Sequence, residues 1–128
     1  MLAMPIARKG IVLVVDDDED NAAVLQMSLE GNGFHVKVAS SVAEARAELT
    51  SSSFDALVTD LSLGDGSALE LLASLTKETR PRVAILVTGY GADEDRARSA
   101  AAGFDAHLVK PVEIGALERT LREGLGPE

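Results

Sequence analysis

Cysteine and tryptophan are absent from this 128-residue chain, and its aromatic residues are one tyrosine and three phenylalanines. Without cysteine the chain has no disulfides, zinc–thiolate sites, iron–sulfur clusters or thiol nucleophiles. No apolar run exceeds the five residues of Ile11–Val15, whereas a membrane span needs ~20. We therefore expect no membrane insertion, and the lack of cysteine is compatible with a reducing cytoplasm.

Positive charge is also scarce, because 12 Lys and Arg residues stand against 21 Asp and Glu residues and the formal net charge is −9. Such a chain repels phosphate backbones, so we expect no direct contact with nucleic acid. Arg8 and Lys9 follow the apolar residues at the start of the chain, which is the reverse of the order in a secretory signal. The length predicts one domain over 1–128, with its core at about 9–124.

Short β-branched runs alternate with helical patterns along the chain. Five strands are predicted, at Ile11–Val15, Val36–Val38, Ala56–Thr59, Val83–Val87 and Ala106–Val109. Five apolar stripes have helical spacing, namely Ala22/Leu25/Leu29, Val42/Ala45/Leu49, Leu69/Leu72/Leu75, Ala97/Ala100/Ala101 and Ile114/Leu117/Leu121. This alternation predicts an α/β fold, a doubly wound five-stranded parallel sheet in the flavodoxin-like order 2-1-3-4-5 with five helices. Because the fourth stripe is alanine alone, we expect helix 4 to be the least firmly packed.

Two capping signals support the predicted helix starts. Ser41 with Glu44, and Ser67 with Glu70, have the spacing of a capping box. We therefore expect helices 2 and 3 to begin directly after these serines.

Polar side chains follow four of the five predicted strands. Strand 1 ends in the acidic run Asp16–Asp20, strand 3 in Asp60, strand 4 in Thr88 and strand 5 in Lys110. Taken singly, these residues fit a solvated helix start, a backbone cap or a surface lysine. These separate explanations do not account for polar residues at four strand ends at once. The carboxyl ends of parallel strands lie at one edge of the sheet, and ligands bind at that edge. The pattern predicts a site at that edge.

The residue types at this edge indicate phosphoryl chemistry. Asp16, Asp17 and Asp60 would repel one another, and hard oxygen ligands gathered in this way suit Mg²⁺ or Mn²⁺. A metal, the Thr88 hydroxyl and the Lys110 ammonium can hold phosphoryl oxygens while an aspartate oxygen attacks in line. We predict Asp60 as the nucleophile because it stands alone on the central strand, whereas the Asp16–Asp17 pair suits the metal.

Four short motifs together resemble the receiver domain of bacterial two-component response regulators. They are Asp16-Asp17, Asp60, Thr88-Gly89 and Lys110-Pro111. The resemblance covers about residues 9–124. It implies a single receiver domain that works in the cytoplasm as a phosphorylation-dependent switch and not as an enzyme. It also implies a histidine kinase or a histidine phosphotransfer protein as phosphoryl donor, and a shift of the helix 4–strand 5–helix 5 face on activation.

The resemblance further implies roles for single residues around the phosphoryl group. Asp60 would be the phosphoacceptor, and Thr88 and Lys110 would contact the transferred group. The Lys110–Pro111 peptide bond would be cis, a form found in about 5–6% of X-Pro bonds.

For the metal, the resemblance implies four contributors. Asp17, Asp60 and the backbone carbonyl of Ser62 would ligate Mg²⁺ directly, and Asp16 would ligate it through water. Mn²⁺ is the alternative ion for such oxygen ligands.

Several positions near the site depart from the family pattern or vary within it. Many receivers have proline where Gly64 stands, so we expect a looser loop after Asp60. Three residues before the conserved lysine the family has a Tyr or Phe ring that swings inward on activation, and here that residue is His107. Tyr90 is the alternative moving ring. Ser62 and Tyr90 flank the path of hydrolytic water in the family, which makes them candidates for setting the phosphoryl lifetime.

Two other functions stay open at this point. A phosphatase of the haloacid-dehalogenase-like class would use Asp16 as nucleophile in the D-x-D of Asp16–Asp18, but Asp20 stands where that motif wants Thr or Val. A pure interaction module would keep the fold without needing phosphate. A flavodoxin-type FMN carrier fits poorly, because it needs a Ser/Thr/Gly-rich loop where this chain has acids.

Partner contacts are suggested by the surface of helix 1. Ala23 and Met27 form a narrow apolar strip away from the Leu25/Leu29 face, which could dock a helix of the kinase or phosphotransfer protein. Only Leu125–Glu128 follow Gly124, so we expect the signal to pass to a downstream protein partner, through a dimer or by draining phosphate. The alternative is a receiver excised from a longer hybrid kinase or regulator.

Overall fold

Strands and helices alternate in the computed structural model, which describes residues 10–89 and 93–126. The strands are β1 (Ile11–Val15), β2 (His35–Ala39), β3 (Ala56–Asp60), β4 (Ser62–Leu63), β5 (Gly66–Ser67), β6 (Val83–Thr88) and β7 (Ala106–Val109). The helices are α1 (Glu19–Gly31), α2 (Val42–Ser51), α3 (Ala68–Ala73), α4 (Asp93–Ala102) and α5 (Ile114–Leu125). None of the helices in the described ranges has the length and apolar character needed to cross a membrane.

Five of the strands form one parallel sheet in the order β2-β1-β3-β6-β7. The remaining two, β4 and β5, pair with each other as a separate antiparallel hairpin. With the hairpin set aside, β6 and β7 are the predicted strands 4 and 5, and the predicted fold and strand order are confirmed. The hairpin itself was not predicted, because strands of two residues are too short to show an alternating pattern.

The sheet is covered by an apolar layer on each face. Leu13 and Val15 of β1 belong to the layer that contains α2 and α3 residues, while Val12 and Val14 belong to the layer that contains α1 and α5 residues. All four side chains are at most 1% exposed. Burial of one such side chain contributes about 1.5–3 kcal/mol. Because successive residues enter opposite layers, a central parallel strand is apolar throughout.

Helix α4 contributes less to these layers. Among its side chains from residue 96 to residue 102, only Ser99 is buried, and Ala102 packs at the margin of one layer. This agrees with the weak packing expected from its alanine stripe.

Capping differs between the two predicted boxes. Ser67 and Glu70 form the complete box at the start of α3. At the start of α2 the Ser41 hydroxyl accepts from the Glu44 amide at 3.0 Å, but the Glu44 carboxylate accepts from the Ser40 hydroxyl at 3.2 Å. Helix α3 also ends before its predicted stripe does, so that Leu75 lies beyond the helix and still packs on the core.

Candidate functional site

The predicted polar residues meet at the carboxyl edge of the sheet. Asp60 and Thr88 are the last residues of β3 and β6, and Asp16 and Lys110 directly follow β1 and β7. One carboxylate oxygen from each of Asp16, Asp17 and Asp60 lies within 4.8 Å of the others. Residues that are up to 94 positions apart in the chain are thus brought to one place by adjacent parallel strands.

Asp60 is held by a contact on each of its two carboxylate oxygens. The Leu61 amide donates to Oδ1 at 2.8 Å, and Lys110 Nζ donates to Oδ2 at 3.1 Å. The side chain keeps 18% of its surface exposed. Asp60 is therefore oriented by the protein and still reachable from solvent.

Lys110 is the cation of the site. Its Nζ lies 3.1 Å from Asp60 Oδ2 and 3.8 Å from Asp16 Oδ2. Partial burial works to lower the pKa of the ammonium, but the hydrogen bond to Asp60 and the nearby carboxylates outweigh it and raise the pKa above 10.5. The Lys110 amide donates to the Thr88 carbonyl at 2.8 Å, and the Lys110–Pro111 bond is cis, as the resemblance implied.

Asp16 is the most enclosed of the three carboxylates, with 4% of its surface exposed. Burial raises its pKa above the ordinary 3.8, the Asp60 and Asp17 charges add to that shift, and the Asp18 amide and Lys110 oppose it. Three carboxylates against one ammonium leave a net negative charge at this edge, which needs a further positive charge to offset it. The group that fits this need is a divalent cation with a preference for oxygen ligands.

Thr88 lies at the same edge with 1% of its surface exposed. Ser62 stands two residues after Asp60, in the exposed outer part of the hairpin strand β4. Tyr90 lies outside the described residues.

A profile of the family described as the response regulator receiver domain matches residues 12–122. That range is most of the chain and includes every predicted site residue. The chain belongs to the response regulator receiver domain family. Receiver domains serve two-component signalling as phosphoacceptor switches rather than classical enzymes, and they interact with histidine kinases and downstream effectors. Membership argues against the phosphatase interpretation.

Individual relatives agree with this assignment. The response regulator PilR of Pseudomonas aeruginosa is 31% identical over 113 residues, which are 88% of this chain and 25% of that protein. A CheY-like receiver domain protein of Methanospirillum hungatei superposes with a TM-score of 0.82 at 33% identity, covering 90% of this chain and 92% of that chain. A response regulator of Burkholderia pseudomallei was solved with a phosphorylated aspartic acid, calcium ion and citrate. It superposes with a TM-score of 0.81 at 29% identity, covering 90% of this chain and 68% of that chain.

The receiver domain is only part of some relatives. This chain spans about a quarter of the length of PilR and of the ZraR transcriptional regulators of Salmonella.

His107 lies in β7, three residues before Lys110, at the position where the resemblance implies an aromatic ring. Its Nδ1 lies 3.2 Å from the hydroxyl of Ser99, a residue of α4 that is 2% exposed. The Ser99 hydroxyl also donates to the Arg96 carbonyl at 2.9 Å, so this one side chain contacts both its own helix and β7. His107 therefore connects β7 to the one buried side chain among the described side chains of α4.

A cleft of about 490 Å³ opens beside the receiver site. Asp16 and Lys110 line it together with apolar residues of α1, of the segment after β7 and of the start of α5, namely Val24, Leu25, Pro111, Val112 and Ile114. Met27 is 72% exposed and Val24 59% exposed. The predicted strip of Ala23 and Met27 is indeed at the surface, but Val24, which the sequence reading missed, is the exposed residue that borders the cleft.

The raised pKa of Asp16 leads to a stability prediction for Asp16→Asn in the presence of EDTA. A carboxyl whose folded pKa is raised stabilises the fold only while protonated, and this contribution is lost as the pH rises through the folded pKa. We expect the Asp16→Asn variant to melt at a higher temperature than the parent chain at about pH 7. The difference should shrink as the pH falls toward 3.8 and vanish well below it, where the carboxyl is neutral in both states.

Differential scanning calorimetry at a series of pH values measures this directly. A melting temperature lowered by Asp16→Asn at neutral pH would contradict the prediction. Because the variant also loses one of the three clustered carboxylates, a divalent cation should stabilise it less than the parent.

Proposed function

We propose that this receiver domain, with its core at about residues 9–124, is a cytoplasmic switch that is phosphorylated on Asp60. The observation that carries the proposal is the carboxylate of Asp60, oriented by the Leu61 amide and by Lys110 beside two further carboxylates. A histidine kinase or a histidine phosphotransfer protein is the proposed donor.

In the proposed step an oxygen of Asp60 attacks the phosphorus of a phosphohistidine. The new O–P bond forms as the P–N bond of the donor breaks, and the electron pair of that bond stays on the histidine nitrogen. Lys110 offsets negative charge on the phosphoryl oxygens, and the Thr88 hydroxyl donates to one of them. The product is an aspartyl phosphate.

The metal site proposed for this step uses residues of the same edge. Asp17, Asp60 and the Ser62 carbonyl would hold Mg²⁺, with Mn²⁺ as the alternative, and Asp16 would act through water. When bound, the ion supplies charge neutralisation for the incoming phosphoryl group. The fit rests on three hard oxygen donors within 4.8 Å of one another and on the excess of negative charge around them.

The donor is proposed to dock where α1 meets the cleft. Val24 and Met27 offer exposed apolar surface, and the cleft leads from Val24 to Lys110. An amphipathic helix that carries a phosphohistidine matches this shape, because its apolar face can cover α1 while the phosphoryl group reaches Asp60.

Signal output is proposed to pass through α4, β7 and α5 to a downstream protein partner or a dimer. The two negative charges that the phosphoryl group adds on Asp60 draw Thr88 and Lys110 toward it. Thr88 ends β6 and Lys110 directly follows β7, so both residues lie where these two paired strands end. His107 would carry the change to α4 through Ser99. Such a relay works only if these contacts differ between the two states. Tyr90 and Ser62 are proposed to set the lifetime of the aspartyl phosphate, because these positions flank the path of hydrolytic water in the family.

The test is incubation of the chain with acetyl phosphate and Mg²⁺, followed by mass spectrometry and NMR. We expect a mass gain of one phosphoryl group that hydroxylamine removes, little gain in EDTA, and moved amide resonances at Ser99 and His107. Equal labelling in EDTA or a label stable to hydroxylamine would contradict phosphorylation of an aspartate. Labelling without any change at Ser99 and His107 would contradict the relay.

A further inference from the structure

The β4–β5 hairpin directly follows Asp60 and carries Ser62. Ser62 pairs with Ser67 and Leu63 with Gly66. Leu63 is buried at 5% exposure, whereas the tip of the hairpin is exposed. Leu63 anchors one side of the hairpin in the core, but glycine at residues 64 and 66 leaves the tip with much backbone freedom, so a contact at the tip restricts it further.

The side chain of Asp65 makes that contact at the tip. The Val42 amide donates to Asp65 Oδ1 at 2.8 Å, and the Ala43 amide donates to Oδ2 at 3.0 Å. These are the first two amides of α2, and they lower the pKa of the carboxyl. A carboxylate at a helix N-terminus is also favoured by the helix dipole. The hairpin is therefore tied to a helix whose residues lie 22 and 23 positions earlier in the chain.

The remaining cap of α2 is separate from this tie. The Ser41 hydroxyl accepts from the Glu44 amide and makes no bond to the hairpin. Asp65 and Ser41 thus satisfy neighbouring amides of one helix end, and of these two side chains it is Asp65 that comes from the loop after Asp60.

We propose that Asp65 is a positioning residue of the metal site, which holds the hairpin on α2 so that the Ser62 carbonyl stays at the distance Mg²⁺ requires. The inference rests on the proposed function, in which that carbonyl is a ligand. Mg²⁺ demands near-ideal octahedral geometry, and a carbonyl on a loosened hairpin meets that demand in fewer of its conformations. Asp65 acts here through Ser62 and touches neither metal nor phosphoryl group.

The experiment compares Asp65→Ala, Asp65→Asn and the matched control Ser41→Ala in ¹⁵N-labelled chains. Titration with MgCl₂ gives the Mg²⁺ affinity, and amide hydrogen exchange reports the opening of the hairpin. Asp65→Ala is expected to weaken Mg²⁺ binding about 10-fold, at the lower end of the loss usual for a group that orients a metal ligand. Asp65→Asn keeps an acceptor oxygen, so it should weaken Mg²⁺ binding less than Asp65→Ala does. Ser41→Ala should destabilise α2 without changing the Mg²⁺ affinity.

Two results would overturn this inference and leave the proposed function standing. One is an Mg²⁺ affinity that Asp65→Ala leaves unchanged, and the other is an equal loss in Ser41→Ala. Failure of the parent chain to bind Mg²⁺ would overturn the proposed function and this inference with it. If Asp65→Ala does not fold, faster exchange and weaker Mg²⁺ binding in Asp65→Asn than in Ser41→Ala would support the inference, and their absence would overturn it.

Discussion

The Asp60→Asn variant is expected to take up no phosphoryl group from acetyl phosphate under conditions in which the parent chain takes up one. An amide oxygen is a far weaker nucleophile than a carboxylate, so no acyl phosphate forms. The amide oxygen can still accept from the Leu61 amide, and the fold should therefore be kept. Intact-protein mass spectrometry over a time course measures the difference.

Asp18→Asn is the matched control for this experiment, because it also removes one negative charge from the carboxyl edge. Asp18 caps α1 by accepting from the Asp20 and Asn21 amides at 2.9 and 3.2 Å. Asparagine is as good a cap as aspartate, so this variant should be labelled like the parent. Labelling of Asp60→Asn at the parent rate would refute Asp60 as phosphoacceptor. Turnover of p-nitrophenyl phosphate that Asp16→Asn abolishes would instead support the phosphatase mechanism.

Lys110→Met is expected to have two opposite effects, a slower phosphorylation and a tighter binding of Mg²⁺. The loss of one preorganised charge that meets the transferred group typically lowers a rate about 10²- to 10³-fold. The same ammonium lies 3.1 Å from Asp60 and 3.8 Å from Asp16, where it competes with a cation for both carboxylates. Its removal should therefore raise the Mg²⁺ affinity.

The rate of labelling by acetyl phosphate and an Mg²⁺ titration separate these effects. Lys37→Met is the matched control, because it removes the same unit of charge from a residue whose side chain is 57% exposed and pairs with Glu48 on α2. We expect this control to change neither the rate of labelling nor the Mg²⁺ affinity appreciably. Parallel loss of Mg²⁺ binding and of phosphorylation in Lys110→Met would contradict the assigned role and indicate a collapsed site.

Local patterns determined the architecture of this protein. Buried parallel strands are apolar on both faces, so runs such as Ile11–Val15 are recognisable without tertiary information. Right-handed crossovers then leave few strand orders. Because every parallel strand ends at the same edge, placing Asp60 and Lys110 at strand ends already predicted that they would meet. The predicted and observed bounds of the strands differ by about one residue. Asp60 and Thr88, which were predicted to follow their strands, are the last residues of those strands.

Only the tertiary structure decided which neighbours hold these residues. The tie from Asp65 to α2, the contact of His107 with Ser99, and the border of the cleft at Val24 leave no periodic signal in the sequence. The first two depend on a single side chain that meets a partner on another element, and the third depends on where α1 lies relative to the segment after β7. Periodicity reports which face of an element is buried, because burial repeats with every turn or pleat. It carries no information about one polar contact made across 23 residues of chain.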